Sequence, residues 1–89
     1  MSTAITAQNT FTNPVLIQPG NSFDISISGT FVATVVLQRS KDGSTNWLDV
    51  ASFTAPAEQT GSAGSAWYFR IGVKTGGFTS GTVVVDLFD

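Results

Sequence analysis

The chain has 89 residues, four Lys or Arg against six Asp or Glu for a net charge of −2, and neither cysteine nor histidine. That length suits one small domain with a thin core. The missing residue types exclude disulfides, thiolate metal sites and histidine-based catalytic triads, and the scattered Arg39, Lys41, Arg70 and Lys74 give no basic footprint for nucleic acid.

In chain order, residues 1–18 come first. "MSTAITAQNT" has no basic n-region and no apolar h-region, so a signal peptide is not expected. No apolar run reaches the length of a membrane span. "TAITAQNTFTNPVLI" holds β-branched residues with weak alternation, broken at Asn13-Pro14. Proline has no place inside a central strand, so the segment reads as an edge strand or as an arm that orders against a neighbour.

Pro19-Gly20 is a turn pair. "SFDISIS" from Ser22 then alternates cleanly, with Phe23, Ile25 and Ile27 on one face and Asp24, Ser26 and Ser28 on the other. Gly29-Thr30 breaks it. "FVATVVLQRS" over Phe31 to Ser40 and "WLDVASF" over Trp47 to Phe53 read as a hairpin around the loop Lys41 to Asn46. Ala55 to Ser65 reads as loop, with a short edge strand near Glu58 to Thr60. "AWYFRIGV" sends Trp67, Phe69, Ile71 and Val73 to the core. Gly76-Gly77 and Gly81 bracket a loop around Phe78, and "TVVVDLF" closes the chain. "SGT" occurs at Ser28 and at Ser80, which reads as one turn solution used twice. About six or seven short strands with turn signals between them predict an all-β fold, one small antiparallel sandwich of immunoglobulin/fibronectin-III-like or jelly-roll-like kind. Residues 1–18 are the arm or edge strand and 19–89 the sandwich.

Charge is scarce. Charged residues make up 11%, against about 25% in ordinary globular domains, so Ser, Thr, Asn, Gln and Gly must cover most of the surface. Such a surface suits a protein buried within an assembly.

Ser40, Asp42, Gly43 and Trp47 sit close together in "SKDGSTNWLDV". The spacing resembles the Asp-box hairpin, Ser-x-Asp-x-Gly-x-x-Trp, with the glycine one place early. Asp accepts backbone N–H bonds within its own turn and glycine tolerates positive φ. The tryptophan is expected to cover the base of the hairpin. Turn formation accounts for these residue types, so they are read as structural.

The carboxylates are Asp24, Asp42, Asp49, Glu58, Asp86 and Asp89. A glycosidase needs two across a cleft, and a sandwich this small has little room for one. Asp24, Asp49 and Asp86 fit solvent faces. A calcium site needs several oxygen ligands together, and the hairpin loop offers one carboxylate. No catalytic, metal or cofactor residue is therefore assigned, and the chain is read as non-enzymatic. Trp47, Trp67, Tyr68 and Phe78 would make a sugar-stacking platform if exposed, although strand phase puts both tryptophans in the core. Phe78, in a Gly/Ser/Thr loop, is the aromatic expected to be exposed.

"GTFVATVVLQRSKDGSTNWLDVASF" followed by "YFRIGVKTGGFTSGTVVVDL" resembles small β-sandwich virion proteins of tailed bacteriophages, over roughly Ser28 to Leu87. The "YFRIGV" strand and its closing hairpin also look like fibronectin type III modules. The phage resemblance implies a capsid decoration or cement protein, made in the bacterial host cytoplasm and located on the virion. Its implied partners are the major capsid protein and sister copies in a dimer or trimer, with no nucleic acid and no membrane. Ile5, Phe11, Val15, Ile17 and Phe78 are the expected partner-interface residues, the first four on the arm. The alternatives are a neck, tail or fibre component, or a host-glycan-binding module.

Overall fold

Alternating apolar and polar side chains organise the chain into two stacked sheets. The computed structural model describes residues 2–88. Its strands are β1 (Ser2–Ile5), β2 (Thr10–Phe11), β3 (Val15–Ile17), β4 (Ser22–Ser28), β5 (Phe31–Ala33), β6 (Val35–Ser40), β7 (Leu48–Phe53), β8 (Ala57–Ser62), β9 (Trp67–Val73), β10 (Phe78–Gly81) and β11 (Val83–Phe88). The first sheet has the order β1-β11-β4-β8. The second has the order β2-β9-β6-β7, with β3 also on β9, and β10 and β5 form a separate ribbon. All these pairings are antiparallel.

Phe23, Ile25 and Ile27 of β4 and Val83, Val85 and Leu87 of β11 face Val35 and Leu37 of β6 and Phe69, Ile71 and Val73 of β9. The Phe23 and Phe69 rings meet between the layers at 4.5 Å. Full burial of each such side chain contributes about 1.5–3 kcal/mol, which is how an 89-residue chain holds together without a cross-link.

The two "SGT" turns are partners. Strand β4 continues into β5 and β10 into β11 as one bent antiparallel ribbon. Ser28 pairs with Val84 before the bend and Phe31 with Gly81 beyond it. The Thr82 N–H donates to Thr30 O at 2.9 Å in the corner. Gly29 (φ 98°) and Gly81 (φ 92°) make the bend. A Cβ on Gly29 would lie 2.4 Å from Thr82 O, and one on Gly81 would lie 2.3 Å from Thr30 O. Only glycine allows both the dihedral and this approach.

Residues 1–18 are built into both layers as edge strands, the first of the two alternatives read from the sequence, and not as an arm reaching a neighbour. β1 lies on β11, while β2 and β3 lie on β9. Ile5 and Ile17 are 0% and 1% exposed and belong to the core. At the Asn13-Pro14 break, Thr12 keeps the ladder satisfied. Its N–H donates to Ile71 O at 2.9 Å, and its hydroxyl accepts from Ile71 N–H at 3.2 Å.

Two other expectations change. "FVATVVLQRS" splits into β5 and β6 at Thr34, whose N–H turns to Gly77 O at 2.8 Å. β9 and β11 lie in different sheets, so the closing hairpin of a fibronectin-type module, whose last two strands are neighbours in one sheet, is not formed.

Candidate interaction face

The hairpin after β6 closes on itself. The Ser40 hydroxyl lies 2.8 Å from Asp42 Oδ1 and also contacts Thr45 O. It accepts from the N–H groups of Asp42 and Gly43 at 3.3 and 3.2 Å. Asp42 Oδ1 accepts from the Ser44 and Thr45 N–H groups at 3.0 and 2.9 Å, and Oδ2 accepts from the Thr45 hydroxyl at 2.6 Å. Gly43 (φ 76°) and Asn46 (φ 56°) supply the left-handed residues, and the Tyr68 ring lies over Gly43. The Thr45 hydroxyl, the Thr45 and Ser44 amides and Ser40 together hold the Asp42 carboxyl well below its ordinary 3.8.

This arrangement predicts an acid-sensitive hairpin. Asp42 is lowered by the hairpin donors, and Asp49 by Lys74 and Gln38. A group depressed in the folded state stabilises fully above its unfolded value and loses that contribution as pH falls through the folded value. Thermal melts should therefore weaken progressively below about pH 4. Asp42→Asn should lower the neutral-pH melting temperature modestly and flatten the acid slope. An unchanged slope would remove Asp42 from this role.

Trp47 does not take the core place that its strand phase suggests. It lies outside the core, on the outer face of the second sheet, half-buried against Arg70. The alternation that buries Phe69, Ile71 and Val73 turns Tyr68 and Arg70 outward. Gln38 stands opposite Arg70. A register shift at Leu37/Gln38 makes Val50 an extra residue in β7, so Gln38 stands opposite Asp49; without it, Val50 would take that place. Bulges re-aim side chains in this way.

A continuous network results. Arg70 Nε donates to Gln38 Oε1 at 2.9 Å, and Gln38 Nε2 donates to Asp49 Oδ1 at 2.8 Å. Lys74 Nζ reaches Asp49 Oδ2 at 2.6 Å. The Arg70 guanidinium carbon is 3.8 Å from the Phe11 ring centre and 4.2 Å from that of Trp47. Phe11 approaches from β2 on one flank of β9, and Trp47, the residue just before β7, approaches on the other. Burial lowers the Arg70 pKa, yet the guanidinium stays charged. Near the end of the same sheet, Arg39 and Lys41 stack on Trp67 at 4.1 and 4.0 Å. Every Lys and Arg is thus engaged within the chain, three on aromatic rings.

The first sheet's outer face is different. β4 and β8 place Asp24 beside Thr60 and Ser26 beside Glu58. Thr60 Oγ1 donates to Asp24 Oδ1 at 2.8 Å, and Ser26 Oγ donates to Glu58 Oε2 at 2.6 Å. Asp86 lies in the same row, opposite Ser26. Among the described residues no Lys or Arg bonds to Asp24 or Glu58.

β7 and β8 are sheet edges facing each other across the open side of the sandwich. A cleft of about 220 Å³ runs between them, floored by Phe23, Leu37, Phe53 and Phe69. On β7, Leu48 and Val50 are 54% and 47% exposed.

The expected interface residues scatter. Ile5 and Ile17 are internal; Val15 and Phe78 are half-buried and pack on the core. Phe78 is therefore not the free aromatic that its loop composition suggests. Phe11 is taken up by Arg70. Asp89 lies outside the described residues. The Arg70 stack has no local sequence signal, because its ring partners Phe11 and Trp47 come from segments remote in sequence. Compared with protein-family models, curated proteins and solved structures, the chain matches none.

Proposed function

We propose that this chain is a non-enzymatic structural component of a tailed-bacteriophage particle, a decoration protein seated over joints between major capsid subunits. The observation that carries the reading is an open edge with exposed apolar side chains on a charge-poor chain. Leu48 and Val50 stand exposed on β7, the cleft beside them reaches core side chains, and charged residues are 11% of the chain. Monomeric proteins cover or charge such edges. The resemblance over Ser28 to Leu87 supplies the setting.

The mechanism is mass action. A protein that binds only the assembled lattice stabilises that lattice according to its occupancy, and many copies multiply the effect. Cryo-imaging of the native particle, with this chain fitted to density, tests the assignment. Density over capsid joints is the expected result, and particles lacking the protein should open at lower temperature. Density at the neck, tail or fibre would replace the decoration role with that location. Absence from purified particles would end the virion reading.

A further inference from the structure

We propose that the two outer faces of this protein are complementary, and that a second copy docks the Asp24–Glu58 face of its first sheet onto the Arg70 face of the second. The proposal deepens the assembly reading and rests on it only in taking a sister copy as the partner.

Arg70 is prepared for a carboxylate. A guanidinium has five N–H donors. Among the described residues, Arg70 spends one of them, Nε–H on Gln38. The Phe11 and Trp47 rings hold the plane of the group, so its terminal amino groups form a fixed fork of the shape that pairs with a carboxylate through two parallel bonds. A prearranged donor loses little freedom on binding.

The opposite face has the matching groups. Asp24 and Glu58 are each oriented by one hydroxyl. A carboxylate can accept about four hydrogen bonds, and the chain's cations are all engaged elsewhere. One molecule therefore presents open donors on one face and open acceptors on the other. Exposed apolar groups flank both. Phe88, 47% exposed, stands opposite Asp24; Leu16, 37% exposed, stands opposite Tyr68 on the Arg70 side. The molecule measures 36 × 24 × 19 Å, so full overlap of its broad faces is of the order of the ~800 Å² per partner of a standard interface. Because the two faces are on opposite sides of one molecule, the contact is head-to-tail. It closes into a ring or continues as a stack according to the rotation between copies.

Sedimentation of the purified full chain across a concentration series tests this. The wild type should associate, and rising salt should weaken it. Asp24→Asn/Glu58→Gln leaves the Arg70 stack untouched and should weaken association roughly tenfold or more, as Arg70→Ala should. The decisive arm mixes two variants. Arg70→Glu keeps its acidic face, and Asp24→Lys/Glu58→Lys keeps its Arg70 face. Each alone should fail to form the wild-type contact, and the mixture should restore association through the two intact faces. Wild type that stays monomeric at every concentration overturns the proposal. So does association that is indifferent to the Asp24/Glu58 changes, or a mixture no more associated than its parts. None of these results bears on the protein's place in a particle, which imaging decides separately.

Discussion

A chain lacking residues 1–18 will fail to fold cooperatively. Composition alone allows these residues to be a dispensable arm, but the structure gives them three tasks. β1 covers the edge of β11, β2 and β3 cover the edge of β9, and Ile5 and Ile17 fill the core between the layers. Losing the two isoleucines removes about 1.5–3 kcal/mol each. The lost ladders and the bared apolar surface around them add to that, in a domain whose total stability is of the order of 5–15 kcal/mol. Thermal and denaturant unfolding of residues 19–89 should show no sharp transition, and amide NMR dispersion should collapse. A 19–89 chain that melts sharply near the full-length temperature would return the segment to the status of an arm. The milder pair Ile5→Ala and Ile17→Ala should each cost about 2–5 kcal/mol, the usual range for buried truncations.

Legibility from sequence followed the number of faces a segment must satisfy. "SFDISIS" has one buried and one solvent face, so its period identifies both β4 and its orientation, and Ser22–Ser28 is the strand observed. β9 and β11 are legible for the same reason. Residues 1–18 serve two sheets in succession, so Ile5 and Ile17 share no single period and the pattern dissolves. Strand phase puts Trp47 in the core, but the bulge at Val50 resets that phase, and nothing local announces the bulge. The Arg70 site needs Phe11 of β2, Gln38 of β6, Asp49 of β7 and Trp47 just before β7 brought together. Each residue is ordinary where it stands in the sequence, and only the strand order makes them neighbours. By contrast, the Ser40–Asp42–Gly43 turn is made almost wholly of contacts within five residues, so spacing alone announces a closed turn there.

Gly81→Ala and Gly29→Ala will each destabilise the domain by about 2–4 kcal/mol, a large share of the total for single methyl groups. Two effects combine. Placing an L-residue in the left-handed region costs about 1–2 kcal/mol, and the new Cβ then meets a backbone carbonyl that has no rotamer with which to move away. Gly76→Ala separates these effects. Gly76 also has positive φ, 83°, but nothing lies within 4 Å of the position a Cβ would take, so it should show only the dihedral cost. Denaturant midpoints of the three variants, at constant slope, give the comparison. Both collisions occur in one corner, so the Gly29→Ala/Gly81→Ala pair should cost less than the sum of its parts. Once the first methyl has pushed the Thr30 and Thr82 backbones apart, the second finds room. Equal costs at Gly76 and Gly81, or strict additivity of the pair, would mean that the two "SGT" turns do not meet. A bend made by two independent turns would then replace the interlocked corner.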